Sequence, residues 1–347
     1  MFDYTELMDQ DPFGLPRVAK SALHSRWLAD LGAHHRASCP PYDRLCTIIG
    51  DCPALPVRLF KEYDLKSVPD DEVVKTMTSS GTTGQRVSKI YLDRETSARQ
   101  TRVLAKTVSA FTGKGRMPML VIDSQAVLKN RNMFSARGAG ILGFSMLGRD
   151  ITYALDENME LDLEMISAFV DRHAGEQVIL FGFTFMIWQY FCCALKAKGM
   201  ALDLHGTMIH GGGWKKLADQ KVSNDEFKRV VSETCGVERV CNYYGMVEQT
   251  GSIFMECECG HLHASVFNDV IIVDPLTFED KPSGRGLVKC ISLLPTSYPG
   301  QVLLTEDEGE ILGEDDCPCG RKGKYFAVHG RLKGAEIRGC SDTYERK

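Results

Sequence analysis

Thr78-Ser79-Ser80-Gly81-Thr82-Thr83-Gly84-Gln85-Arg86-Val87-Ser88-Lys89 places five hydroxyls and two glycines in its first seven residues. Glycines let a backbone turn sharply and bring N–H groups close to an anion. Hydroxyls add donors suited to phosphate oxygens, and Lys89 offers a cation. No Gly-Lys-Ser/Thr follows at the spacing a Walker A loop requires. By composition alone the segment fits a phosphate loop or a flexible surface turn, and the flanking sequence must decide.

Working outward, Pro53, Pro56 and Pro69 punctuate the approach to the loop, behind a helical and irregular region over 1–55. Apolar spacing predicts a helix over 19–31, and Cys39-Pro40-Pro41 predicts its end. Beyond the loop, strands are predicted at 89–92, 119–123, 178–181, 207–210 and 237–243. Helices are predicted at 94–111, 161–173, 184–198 and 225–233. The strand at 119–123 ends in Asp123, a polar residue where open α/β sheets receive ligands. From 265 onward only strands are expected, at 270–273, 286–289 and 302–304. The pattern predicts a single domain over 1–347: an α/β core at 1–264 and a β-rich subdomain with a C-terminal tail at 265–347.

Composition excludes several classes. A net charge of −5, from 41 basic and 46 acidic residues, provides no basic field for nucleic acid. The opening Met1-Phe2-Asp3-Tyr4-Thr5-Glu6 has neither a basic nor an apolar leader segment. The run 178–195 is apolar enough to consider as a membrane span, but Gly182, Thr184, Gln189 and two adjacent cysteines favour a buried strand–helix unit. Thirteen cysteines, an odd number, fit a reduced cytoplasmic protein better than a disulfide framework.

Three motifs follow the loop in order. His210-Gly211-Gly212-Gly213-Trp214 combines a strand end with a run of glycines. Tyr243-Tyr244-Gly245-Met246-Val247-Glu248 places aromatics ahead of a carboxylate suited to Mg²⁺. Further on stand Leu304-Thr305-Glu306-Asp307 and Gly330-Arg331-Leu332-Lys333-Gly334. The core Ser80-Gly81-Thr82-Thr83-Gly84 resembles the phosphate loop of the adenylate-forming superfamily, and the later motifs resemble its other signatures. The usual proline before the lysine is missing, and Val247 replaces a threonine.

That resemblance implies ATP, Mg²⁺ and a set of roles. Ser79, Ser80, Gly81, Thr82, Thr83 and Gly84 would cradle phosphates, with Lys89 beside them. Gly212 and Gly213 would line the nucleotide and acyl pocket. Tyr243, Tyr244 and Gly245 would pack on adenine, and Glu248 would hold Mg²⁺. Asp307, with Glu306 as rival, would take the ribose, Arg331 would contact the nucleotide, and Lys333 would be the hinge. Phe181, Phe183 and Trp214, with Phe185 and Trp188, are aromatic candidates for an acyl pocket, although core packing explains most of them equally well.

Fourteen residues follow Lys333, where the superfamily carries a further C-terminal domain. In this the chain resembles the short acyl-protein synthetases of bacterial luminescence systems. Leu59-Phe60-Lys61-Glu62, Gly212-Gly213-Trp214-Lys215-Lys216 and Gly245-Met246-Val247-Glu248-Gln249 carry the likeness along the chain. It implies that a fatty or other carboxylic acid becomes an acyl-adenylate. Cys340 would accept the acyl group as a thioester and pass it to an acyl-CoA-reductase-type partner. A thiolate is a good nucleophile toward an acyl-adenylate. An acyl- or aryl-CoA ligase of the phenylacetate type is the first rival. A non-catalytic, zinc-stapled interaction protein is the second.

Cys257-Glu258-Cys259-Gly260 and Cys317-Pro318-Cys319-Gly320 form a matched pair. Four thiolates from two such turns suit a closed tetrahedral zinc site, with His261 or His263 as alternates for one cysteine.

Overall fold

The computed structural model describes residues 2–79, 86–128, 134–214 and 221–332, with backbone alone at 134–136. The chain forms two compact units. Among the described residues, one comprises 2–107 and 245–332, the other 108–244.

The second unit is built on five parallel strands. Arg239–Tyr244, His205–Gly211, Gln177–Phe183, Met117–Ser124 and Gly148–Leu155 lie side by side in that order. Their sequences run apolar because both faces are covered, as parallel sheets require. Leu120, Ile122, Leu180 and Met208 from the sheet pack with Ile166 and Phe169 of the helix Leu163–Arg172. Phe227, Val230 and Val231 of the helix Asn224–Cys235 join the same core. Asp162 and Ser223 cap these two helices through their side chains. Gly236 (φ 81°) ends the second in the left-handed region.

The segment predicted as one helix over 184–198 is broken into pieces. Thr184–Met186 and Cys193–Ala197 are α-helical, and Ile187–Cys192 between them is a π-helix. Because Gln177–Phe183 is a strand, the apolar run is not a membrane helix. Among the described residues no helix is long and apolar enough to cross a membrane.

The first unit is mostly antiparallel. Its sheet runs Asp280–Lys281, Asn268–Val273, Gly286–Ser292, Val302–Glu314, Lys324–Arg331, Leu262–His263 and Phe254–Glu256. Leu55–Pro56 adds a parallel pairing to Leu303 and Leu304. Tyr4, Leu7, Leu23 and Trp27 from the N-terminal helices pack on Val266, Phe267, Leu293 and Leu294. The strand-only expectation beyond 265 holds among the described residues. The predicted helix spans Arg17–Ser38 and ends at Cys39, as the Cys39-Pro40-Pro41 run implies, and the proline pair also starts a new element. The pair opens the helix Pro40–Ile49, in the first turn, where a missing N–H costs nothing.

Candidate active site

In the first unit, Lys75–Thr78 pairs antiparallel with Lys89–Leu92, so that Thr78 faces Lys89. The Ser79 N–H donates to the Ser88 carbonyl at 3.2 Å, and the Ser88 N–H donates to Ser79 Oγ at 2.9 Å. These two bonds close the neck of the hydroxyl-rich loop. Ser80, Gly81, Thr82, Thr83 and Gly84 lie outside the described residues. Lys89 is half exposed and pairs with Asp64 at 3.4 Å. The Tyr91 hydroxyl, donating at 2.5 Å, holds the Asp64 carboxyl below the usual carboxylate range.

Glu248 lies in the short turn Val247–Gln249 and is only 8% exposed. Burial pushes its pKa up, and the nearby Ser88 hydroxyl and Arg331 charge act in the opposite direction. Ser88 Oγ is itself buried and makes no hydrogen bond of regular geometry to a described group. The turn is firmly held. The Tyr298 hydroxyl donates to the Glu248 carbonyl at 2.9 Å. The Gln249 amide donates to the carbonyls of Gly300 (2.8 Å) and Cys290 (3.2 Å). Gly300 is obligatory, because a Cβ there would stand 2.3 Å from the Tyr298 ring.

Asp307 and Arg331 face each other across paired strands. Arg331 Nε lies 3.7 Å from Asp307 Oδ1, and Nη1 lies 3.9 Å from Glu306 Oε2. Arg58 takes the other Glu306 oxygen. Glu306 is thus bound between two guanidinium groups, and Asp307 shares one of them. Lys333 and Cys340 lie outside the described residues.

In the second unit the candidate residues sit at the carboxyl ends of parallel strands, where open α/β sheets receive ligands. Gly211–Gly213 follow His205–Gly211, Tyr243 and Tyr244 end Arg239–Tyr244, and Phe181 and Phe183 end Gln177–Phe183. Tyr243 lies on Gly211, where a Cβ would meet its Cε1 at 2.4 Å. Tyr243 also meets Phe144 at 5.0 Å between centroids, and Phe144 stacks on Phe181 at 4.3 Å. Gly212 adopts φ +76°, and a Cβ there would lie 3.3 Å from Phe183. Trp214 packs edge-on against Trp188 at 5.4 Å. Phe181 and Phe183 are buried, with packing partners throughout.

Sequence reasoning missed the device that holds the glycine turn. Thr184 Oγ1 lies 3.0 Å from His210 Nδ1 and donates to the carbonyls of Gly211 (3.1 Å) and Gly212 (2.9 Å). Burial holds the His210 pKa down at about 3, so the ring is neutral. The signal available was Thr184 itself, a hydroxyl directly after a strand. Asp123, expected at the ligand end of its strand, is instead fully buried against Arg137, whose Nε donates to it at 2.6 Å.

The cysteine-rich turns meet in the first unit. Ligand atoms of Cys257, His263, Cys317 and Cys319 all lie within 4.8 Å of one another. Cys259 is exposed, and His263 stands where the fourth cysteine was expected. His261 Nδ1 lies 3.3 Å from Cys317 Sγ.

A family model described as acyl-protein synthetase, LuxE, matches residues 3–347. The chain belongs to the LuxE acyl-protein synthetase family. A long-chain-fatty-acid–luciferin-component ligase from Vibrio harveyi is 26% identical, with 97% of this chain and 92% of the relative covered. A ligase of the same name from Aliivibrio fischeri is 23% identical, over 86% and 79% of the two chains. Among solved structures, an open 2-hydroxyisobutyryl-CoA ligase bound to 2-HIB-AMP and CoA superposes with a TM-score of 0.70 at 15% identity. That match covers 96% of this chain and 81% of the other. A postadenylation state of the same ligase gives 0.69 at 15%, covering 92% and 69%. At that identity the likeness is one of fold, and the expected adenylate-forming α/β fold is borne out. This LuxE-family chain is related by sequence to ligases and shares its fold with ligases that form acyl-adenylates.

Proposed function

We propose that the protein is an ATP-dependent acid–thiol ligase of the cytosol. It converts a long-chain fatty acid, or a related carboxylic acid, to an acyl-adenylate. It then places the acyl group on a protein cysteine, Cys340, for delivery to an acyl-CoA-reductase-type partner. The observation that carries this reading is the Glu248 carboxylate, buried in a turn held by Tyr298 and Gln249. A buried hard oxygen donor in a rigid turn fits Mg²⁺, which supplies charge neutralisation at the phosphates when bound. The preference for a fatty acid rests on the names of the two relatives.

In the first half-reaction a carboxylate oxygen attacks the α-phosphorus of ATP, and the bond to pyrophosphate breaks. The loop 79–84, with Lys89, cradles the phosphates. Arg331 stabilises developing negative charge, and Asp307 orients the ribose. Tyr243 and Tyr244 pack on adenine beside Gly212, Gly213 and Gly245, and Phe181, Phe183 and Trp214 shape the acyl end. In the second half-reaction the Cys340 thiolate attacks the acyl carbonyl and AMP leaves. Lys333 is the hinge between the two steps. A structural zinc ion in the Cys/His cluster takes no part in the chemistry.

The test is the intact mass of the protein after incubation with ATP, Mg²⁺ and a panel of fatty and aryl acids, for wild type and Cys340→Ser. The expected result is a hydroxylamine-sensitive acyl increment that the variant lacks. Pyrophosphate release without an adduct would remove Cys340 as carrier and favour a free thiol acceptor. No acid-dependent pyrophosphate release would overturn the ligase reading itself.

A further inference from the structure

Six soft donors surround one corner of the first unit: Cys257, Cys259, His261, His263, Cys317 and Cys319. The ligand atoms of four of them all lie within 4.8 Å of one another, while His261 Nδ1 approaches Cys317 Sγ alone at 3.3 Å. We propose that this corner is a closed tetrahedral Zn²⁺ site with the ligands Cys257, His263, Cys317 and Cys319, and that Cys259 stands outside it. The inference builds on the zinc reading above and stands independently of the acid-activation chemistry.

The distances fit a metal rather than a bond between sulfurs. Tetrahedral zinc with Zn–S near 2.3 Å and Zn–N near 2.0 Å separates two sulfurs by about 3.8 Å and a sulfur from a nitrogen by about 3.5 Å. Cys257 Sγ and Cys317 Sγ are 3.9 Å apart, and His263 Nε2 lies 3.4 Å from Cys319 Sγ. A disulfide would need roughly 2.05 Å. Three thiolates and an imidazole form a soft set that selects zinc over Mg²⁺ or Ca²⁺. All four positions come from protein, so no open position remains for catalysis.

Local geometry explains why the obvious four-cysteine set does not form. The two Cys-x-Cys-Gly turns have the same shape. Gly260 (φ +78°) and Gly320 (φ +81°) are both left-handed, and each glycine N–H donates to the carbonyl of its first cysteine at 2.9 Å. The second turn contributes both of its sulfurs. The first contributes only Cys257, whose sulfur accepts the Cys259 N–H at 3.4 Å. The chain then enters the strand Leu262–His263, which pairs with Lys324–Arg331 and sets His263 opposite Tyr325. That pairing brings a buried imidazole back to the gap that Cys259, exposed, leaves open. With zinc bound, three thiolates leave one net negative charge, and Arg321 stands in the same turn, bonded to Glu258 at 2.8 Å.

The site therefore ties the hairpin of Phe254–Glu256 and Leu262–His263 to the connection between Val302–Glu314 and Lys324–Arg331. The last of these strands carries Arg331 at its far end.

The experiment is metal analysis and zinc-edge X-ray absorption on the full chain purified without chelator, with Cys259→Ser and Cys317→Ser alongside. The proposal expects one zinc per chain, a shell of three sulfurs and one nitrogen, full zinc in Cys259→Ser and loss of it in Cys317→Ser. A four-sulfur shell or zinc loss in Cys259→Ser would overturn the ligand set. A chain without metal, or with iron, would overturn the site. The wild-type spectrum decides the ligand set even if Cys317→Ser does not fold. Acid-dependent pyrophosphate release, measured on the same preparation, reports separately on the ligase reading.

Discussion

Gly211→Ala isolates the contact between the glycine turn and the Tyr243 ring. A Cβ at 211 would stand 2.4, 2.6 and 2.8 Å from Cε1, Cζ and Cδ1 of Tyr243. Carbon atoms pack at about 3.5–4.0 Å, so the ring must retreat by roughly 1 Å. It cannot do so freely, because it packs against Phe144 at 5.0 Å, which is itself stacked on Phe181. Overpacking of this kind costs about 1–3 kcal/mol of stability. If Tyr243 packs on adenine, the same displacement should lower kcat/KM for ATP by about a hundredfold, the usual effect of a 1 Å misplacement. Gly115→Ala, in an exposed loop with no assigned role, is the internal control, because a Cβ there meets nothing within 4 Å. The assay is ATP–pyrophosphate exchange at saturating acid, with thermal unfolding measured on the same samples. Equal kcat/KM for ATP in the two variants would refute the placement of Tyr243 against the nucleotide. A stability loss in Gly211→Ala without a kinetic one would reduce the contact to packing.

Glu248→Gln should lower pyrophosphate exchange by about 10²–10³, the scale of losing one preorganised electrostatic contact. It should also raise the melting temperature at neutral pH. A carboxyl whose folded pKa is raised binds its proton more tightly in the folded state. Its stability contribution is therefore full in acid and is lost as pH rises above the unfolded value of 4.5, a loss that glutamine removes. A less stable variant at pH 7 would contradict that sign. Asp269 acts the other way. Burial raises its pKa, but Lys20 and Lys324 outweigh this and hold it at about 2, against 3.8 when unfolded. It should contribute about 2–3 kcal/mol at neutral pH, lost as pH falls from about 4 through 2. Asp269→Asn should cost about 3–5 kcal/mol, because Lys20 is left buried without its counter-charge. Denaturant midpoints across pH, for wild type and variant, check both figures.

Much of the fold was legible because its elements are strongly periodic. The strands that close the loop, the helix Arg94–Thr112 and the strands beyond 265 all follow from local pattern. What escaped depends on contacts remote in sequence. Leu55–Pro56 pairs with Leu303–Leu304, across a separation that no local pattern reports. The strand Gly148–Leu155, at one edge of the sheet, exposes Arg149, Asp150 and Ile151 in a row and gave no continuous apolar run. At the cysteine cluster, spacing identified both turns correctly. It could not tell Cys259 from His263, because the choice is made by the strand pairing at Tyr325. Asp123 was placed correctly at a strand end, but its partner Arg137 lies on a helix that sequence alone does not fold back onto it.

Buried polar atoms without partners are rare in folded proteins and raise the energy of the folded state. Among the described residues, Ser88 Oγ and His210 Nε2 are two of them, and Glu248 is a buried carboxylate whose charged form is disfavoured. Each stands in or beside a motif assigned to phosphate, glycine turn or Mg²⁺. Around each of them the backbone is over-determined. Two bonds close the loop at Ser79 and Ser88, Tyr298 and Gln249 hold the Glu248 turn, and Thr184 holds the carbonyls of Gly211 and Gly212. Rigid support around unsatisfied groups is the arrangement expected when a ligand supplies the missing partners.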